Sequence, residues 1–234
     1  MADYPAKELY TIEDVLSIMR ILRAPGGCPW DAAQTHESIR KHLLEEAYET
    51  ADAIDQGDST HLCEELGDLL MQVVFHAEIA AGAGVFTFED VTDTLCRKLL
   101  LRHPHVFDDL DAGDAAEALT RWEEIKHRER RQTPAEAMAE LPKAFPALLR
   151  AAKVQKKAVK AGYVTPDAGQ AFDAADALLQ KLRHPAENAS ALIGELLWQC
   201  AAAAYALDVD PEEACAAAVE AHIQAYIRNE TNSP

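Results

Sequence analysis

The sequence predicts an all-α protein, and three observations predict it. Apolar residues recur at helical spacing along almost the whole chain, and no stretch alternates as a strand does. Ala, Leu and Glu dominate a composition that is 49% hydrophobic but only 6% aromatic, which suits closely packed helices. The interruptions are Gly, Pro, Asp and Thr, placed where helices start and stop.

Thr11 with Asp14 has the spacing of a capping box, opening a helix through Val15, Ile18, Met19 and Leu22. The stretch Ala24-Pro25-Gly26-Gly27-Cys28-Pro29-Trp30-Asp31 contains two prolines and two glycines and predicts a shaped, non-helical loop. A second helix is expected from about Thr35 to Gln56, ended by Gly57. A third runs from Asp58 or Ser59 to Ala81, closed by Gly82 and Gly84. Thr87 with Asp90 opens a fourth, which ends before Pro104, and Asp114 to Arg131 reads as a fifth. Residues 132–146 carry three prolines among alanines and charges and read as a linker. Further helices are expected over Leu148–Lys160, Asp167–Leu182, Asn188–Leu207 and Pro211–Arg228, the last with Asp210 as N-cap and Pro211 in its first turn. The expected organisation is a domain over 8–131, a linker over 132–146 and an alanine-rich helical domain over 147–230.

At 234 residues the chain can bury a good core in one large or two small domains. It has no run of 18 apolar residues, so no transmembrane helix is expected. Met1 to Leu9 lack the apolar core of a signal peptide, which predicts a cytoplasmic protein. A formal net charge of −18 argues against nucleic acid or an anionic membrane as partner and is compatible with bound cations. An acidic protein that handles phosphates needs metal ions and a few placed basic residues. The charge alone serves solubility equally well. The five cysteines form no C-x-x-C and no zinc-ligand spacing, so they are read as reduced thiols. Cys63, Cys96, Cys200 and Cys215 are expected to pack inside helical contacts, and Cys28 to shape its loop.

The informative pattern is Glu45-Glu46-x-x-Glu49 on the second helix and Glu65-x-x-Asp68 on the third. Residues three apart lie one turn apart on one face, so each helix presents a carboxylate pair. The short turn around Gln56 to Thr60 makes the two helices antiparallel neighbours. Leu44, Ala47, Tyr48, Ala51 and Ile54 form an apolar stripe on one, and Leu62, Leu66, Leu69, Leu70 and Val73 on the other. The carboxylates fall beyond the flank of each stripe and are expected to converge at the edge of the core. Four such groups repel unless a cation sits between them, and hard oxygen ligands favour Mg²⁺ or Mn²⁺. Each motif taken alone also describes a solvated acidic helix face.

The surroundings are Gly26-Gly27-Cys28-Pro29-Trp30-Asp31-x-x-Gln34-Thr35-His36, Leu44 to Glu49, Glu65-Leu66-Gly67-Asp68-Leu69-Leu70, Lys98 with Arg102-His103-Pro104-His105-Val106-Phe107, and Arg121-Trp122-Glu123-Glu124-Ile125-Lys126. In this order and spacing they closely resemble the MazG family of nucleoside triphosphate pyrophosphohydrolases, an all-α superfamily. The likeness runs from about Leu16 to Arg131, and Leu141 to Tyr163 resembles the opening of a second repeat in tandem members. The resemblance implies Mg²⁺-dependent hydrolysis of (deoxy)nucleoside triphosphates to the monophosphate and pyrophosphate. It implies metal ligands at Glu46, Glu49, Glu65 and Asp68, with Glu45 behind them or orienting the attacking water. It implies triphosphate contacts from Lys98 and Arg102, and nucleotide contacts from Trp122 and Lys126. His42 and the turn His61 to Glu64 align with segments that line the pocket. Lys98 and Arg102 are also what an ordinary helix end carries to oppose its dipole. His103 and His105, beside a proline, serve capping or packing as readily as substrate contact. Trp30 reads as a pin for its loop rather than a base-stacking ring.

The second half departs from the tandem pattern. Its corresponding segments read Ala175-Asp176-Ala177-Leu178-Leu179-Gln180-Lys181 and Ile193-Gly194-Glu195-Leu196-Leu197, so only Glu195 remains, and roughly His222 and Tyr226 stand where the basic pair would be. This half is expected to be a structural repeat without metal. The departure also admits a nucleotide-binding regulatory module without turnover, or a helical scaffold without ligand. The resemblance further implies four-helix cores completed by a homodimer, with Val74, Phe75 and Ile79 as leftover apolar faces to cover.

Overall fold

The computed structural model describes residues 4–107, 114–130, 132–184 and 188–231. Arg131, the expected end of the first domain, lies outside the described residues. Among these residues there are twelve helices and no strand. The chain divides into two compact units, Met1–Lys126 and His127–Pro234.

In the first unit, α1 (Ile12–Arg23) begins with the Thr11/Asp14 capping box, and its Asp14 is buried. Lys7 and Tyr4 bond that carboxylate and hold it far below the usual range, which fastens the preceding segment to the helix. The next segment corrects an expectation. Residues 24–28 form a tight loop, but Pro29–Ala33 is a short helix, α2, with Pro29 at its first position. Proline there loses no hydrogen bond, because the first amides of a helix have no partner within it. Cys28 donates its backbone N–H to the Leu22 carbonyl at 2.8 Å, folding the loop back onto α1. A side chain at Gly27 would overlap the carbonyl oxygens of Ile21 and Leu22, so only glycine fits.

α3 (His36–Gln56) starts at Thr35, whose hydroxyl accepts from the Ser38 amide at 3.2 Å. It ends on Gly57 at φ +70°, a left-handed conformation that suits glycine. α4 (Ser59–Gly82) follows at once, its first amides capped by Asp58. α5 (Phe88–Arg102) opens with the Thr87/Asp90 box and is followed by the single turn α6 (Pro104–Phe107) and by α7 (Ala115–Arg130). Leu16 and Met19 of α1 meet Ile39, Val74 and Phe75 in the core of this unit, with Val15, Ile79 and Phe88 at its edge. Val74 and Phe75 are therefore internal to one chain, which corrects their assignment as leftover faces.

The apolar stripes are corrected as well. Tyr48, Ile54, Leu66, Leu70 and Val73 are exposed, while Thr50, Ala53, Glu65 and Gln72 are buried. α3 and α4 close on each other through small and polar residues and turn their most apolar faces outward. Counting hydrophobic residues finds the greasiest face, and that is not the face nearest the neighbouring helix.

In the second unit, α8 (Pro134–Ala139) lies inside the segment expected as linker, opens with a Thr133/Glu136 capping box and packs on α9 (Ala147–Lys160). Leu141 is buried, so this segment holds structure rather than merely connecting. α10 (Ala168–Leu182) and α11 (Ala189–Ala206) pair at Ala171, Ala202 and Ala203, where side chains this small let the helices approach closely. α12 (Pro211–Thr231) packs on α9, and Glu212 accepts the Leu149 amide at 3.1 Å. Cys63, Cys96, Cys200 and Cys215 are all exposed, which corrects their assignment as packing residues. No single described helix is long and apolar enough to cross a membrane.

Candidate active site and metal centre

Two contacts fix the register of the α3–α4 hairpin. His36 near the start of α3 meets His76 late in α4, and the buried Thr50 hydroxyl lies 3.4 Å from the Glu65 carbonyl oxygen. That antiparallel register puts Glu46 opposite Asp68 and Glu49 opposite Glu65. The result is a cluster in which one carboxylate oxygen from each of Glu46, Glu49 and Glu65 lies within 4.8 Å of the other two. Asp68 completes it electrostatically. Burial, then the charges of Asp68, Glu49 and Glu65, raise the Glu46 carboxyl above its usual range, and His42 opposes the shift.

Glu65 bears most directly on whether these residues fit a metal ion. It is buried, and its Oε1 meets His61 Nε2 at 2.9 Å. Its Oε2 is buried without a hydrogen-bond partner. A buried, unsatisfied carboxylate oxygen on a member of such a cluster is costly unless a cation takes the place of the lost water. An all-carboxylate oxygen set is what a hard divalent ion binds, so the residues fit a metal ion.

Of the other candidates, His42, Glu45 and His61 lie against this centre, and the α5 and α7 residues form a group of their own. His42 Nδ1 meets Glu45 Oε2 at 2.8 Å, so two histidines one helix apart each bind a carboxylate of the motif. Glu64 is exposed beside Glu65. Lys98 is exposed near the end of α5, and Arg102 closes that helix. The Arg102 guanidinium lies 5.3 Å from the Trp122 ring centre and the Lys126 ammonium 4.7 Å from it. Arg102 of α5 thus joins Trp122 and Lys126, one turn apart on α7, in one cationic group. His103 ends α5 with Nδ1 2.7 Å from the Leu99 carbonyl oxygen, which is the capping alternative.

Sequence reasoning missed Thr50 and the His36–His76 contact. Thr50 donates to the Glu46 carbonyl at 2.7 Å and, with Ala53, keeps the hairpin narrow at the level of the carboxylates. Nothing in a single sequence distinguishes this threonine from one that faces water. The two histidine rings have Nδ1 atoms 2.8 Å apart, planes within 5° and centres 5.1 Å apart. So wide a centre spacing with so short an N···N distance sets the rings edge to edge, with one nitrogen donating and the other accepting.

Burial, then the neighbouring His36, hold His76 below the ordinary histidine value. The unfolded chain therefore binds the extra proton first. The neutral pair stabilises the fold above about pH 6.5, and that stability is lost as pH falls through the lowered folded value. The melting temperature should fall on acidification below about pH 6.5 more steeply in the wild type than in His76→Gln. Parallel pH profiles would refute this role.

Comparison with known proteins places this geometry. The MazG nucleotide pyrophosphohydrolase domain matches residues 34–107, from just before α3 to the end of α6. The nucleoside triphosphate pyrophosphohydrolase/pyrophosphatase MazG of Thermotoga maritima is 37% identical over 220 residues, covering 93% of this chain and 85% of its own. The chain belongs to the MazG family of nucleotide pyrophosphohydrolases. The nucleoside triphosphate pyrophosphohydrolase of Escherichia coli K12 is 40% identical over 196 residues, covering 80% of this MazG chain and 74% of its own. Bacillus subtilis YabN, described as uncharacterized, is 46% identical over 140 residues, which are 60% of this MazG chain and only 29% of YabN. The domain match contains all four carboxylates together with Lys98 and Arg102.

Proposed function

We propose that this MazG protein hydrolyses (deoxy)nucleoside triphosphates to the monophosphate and pyrophosphate, with Mg²⁺ as cofactor and Mn²⁺ as a substitute. The observation that carries the reading is the gathering of Glu46, Glu49 and Glu65 within 4.8 Å, with the charge of Asp68 acting on Glu46. Glu46, Glu49, Glu65 and Asp68 would hold the metal. Bound there, Mg²⁺ supplies neutralisation of phosphate charge and a more acidic water.

The remaining roles belong to the chain's own groups. Glu45 is positioned by His42 and orients the attacking water through its other oxygen. Lys98 and Arg102 stabilise the charge that develops on the pyrophosphate leaving group. Trp122 and Lys126 contact the nucleotide, with Trp122 supporting the Arg102 guanidinium from one side. His61 and Glu64 line the pocket at the start of α4. The test is pyrophosphate release from mixed deoxynucleoside triphosphates with Mg²⁺. Release that EDTA abolishes supports the reading, and its absence from folded preparations would overturn it.

A homodimer belongs to the same proposal. Tyr48, Leu66, Leu70 and Val73 are exposed on the α3–α4 hairpin, and Leu95, Leu99, Leu100 and Leu101 on α5. So many exposed apolar side chains on adjoining helices suit an interface more than a solvent face. A second copy would complete four-helix cores around the carboxylates. Sedimentation should give twice the 25.6 kDa chain mass, and a monomer at micromolar concentration would refute this.

The division into a catalytic domain over 8–131 and a structural repeat over 147–230, with the α8 segment over 132–146 packed on the second, is likewise proposed. Glu195, the last carboxylate of the lost motif, is exposed and bonded to Gln199 at 2.8 Å rather than to any acidic partner. The counterpart hairpin has alanines in its interface.

A further inference from the structure

Trp30 is an unusual tryptophan for a small helical domain. It stands 57% exposed, although its surroundings are firmly built. Its backbone lies in α2, where its own carbonyl accepts from Gln34 Nε2 at 2.9 Å. Arg23 bonds the Asp31 carbonyl and covers the Phe75 ring at 5.1 Å. The indole meets that same Phe75 at right angles, with centres 6.5 Å apart. The loop before it admits only glycine at position 27. The loop is thus held by its backbone and by Arg23, and needs no large exposed ring to pin it.

The position of the ring suggests a use. Its centre is 6.5 Å from that of His42, which is bonded to Glu45 and acts electrostatically on Glu46. Through His42 the indole stands next to the carboxylate motif on α3. The other tryptophan of this unit, Trp122, has two cations over its ring and is committed to them. A nucleoside triphosphate has one apolar end, and a planar aromatic held rigidly beside the metal centre matches it.

Resting on the hydrolytic reading above, we infer that Trp30 is the platform on which the base of the nucleoside triphosphate stacks. Stacking recognises the π face common to all bases and holds larger bases more strongly. Trp30 therefore favours purine over pyrimidine substrates and sets affinity rather than the chemical step.

The test uses the full chain as wild type, Trp30→Ala and Trp30→Phe, with purine and pyrimidine deoxynucleoside triphosphates and with inorganic tripolyphosphate as a base-free competitor. Trp30→Ala should raise KM for purine substrates roughly 10-fold and for pyrimidines less, with the loss falling on KM rather than kcat. The inhibition constant of tripolyphosphate should stay the same. Trp30→Phe keeps a smaller ring and should raise purine KM about 2–3-fold, which carries the test if the alanine variant fails to fold. A non-hydrolysable purine triphosphate analogue should quench wild-type tryptophan emission, and the quench should shrink in Trp30→Phe. This binding readout does not need turnover, so a failure of the hydrolytic reading is seen separately. Unchanged KM, an emission that nucleotide does not move, or equal losses for tripolyphosphate and purine substrates would overturn the proposal. The last result would mean that Trp30 only shapes its loop.

Discussion

Glu49→Gln in the full chain is expected to lower pyrophosphate release by at least about 10²–10³-fold, while Glu195→Gln leaves it at the wild-type rate. The two substitutions make the same chemical change, carboxylate to amide. Glu49 stands within 4.8 Å of two other carboxylate oxygens, whereas Glu195 accepts from Gln199 one turn on in its own helix. Converting Glu49 removes a negative ligand and leaves a neutral oxygen that binds a hard cation weakly. Folding should survive, because Glu49 is exposed and the glutamine is isosteric. Retained hydrolysis in Glu49→Gln would move the active centre away from the α3–α4 hairpin. Lost hydrolysis in Glu195→Gln would restore a catalytic role to the second unit.

The second large effect is thermal. A ligand that binds only the folded state stabilises it by about 2.7 kcal/mol at a hundred times its dissociation constant. For a unit of this size that is a rise in melting temperature on the order of 5–15 °C when Mg²⁺ replaces EDTA. Glu46→Gln should behave in the opposite way. In EDTA at neutral pH it should melt above the wild type, since it removes one of four crowded charges, and Mg²⁺ should then shift it little. The sign with pH follows from the raised Glu46 carboxyl. A carboxyl whose folded value is raised stabilises the fold below its unfolded value near 4.5, and that contribution is lost as pH rises through the folded value. The advantage of Glu46→Gln in EDTA should therefore grow from acid to neutral pH. Equal melting temperatures in EDTA and Mg²⁺ for the wild type would remove the metal from the hairpin.

Much of this was legible in the sequence because helix ends are written locally. Thr35, Gly57, Asp58 and Thr87 cap the helices they were expected to cap, and each acts on backbone within a few residues. The carboxylate pairs were legible for a similar reason, since spacing on a helix fixes which side chains share a face. The depth of the cluster was not. Glu65 is buried because α3 and α4 close through Thr50 and Ala53, and packing of that kind depends on both helices together. The prolines at 25 and 29 look alike as helix breakers, yet only the structure tells that Pro29 starts a helix. The pairing of His36 with His76, forty positions apart, and the stacking of Arg102 on Trp122 across two helices are tertiary facts with no local pattern.

The short turn at Gly57 and Asp58 has a consequence for how the chain acquires its structure. All four carboxylates lie within one helical hairpin, and closing so short a loop is fast compared with docking distant segments. The hairpin therefore brings like charges together early, before α5 can add its cations. Ions present during folding would relieve that repulsion at the step where it first arises. On the proposed metal site, ligation and hairpin closure would be one event, and divalent ions would serve the assembly of the hairpin as well as its chemistry.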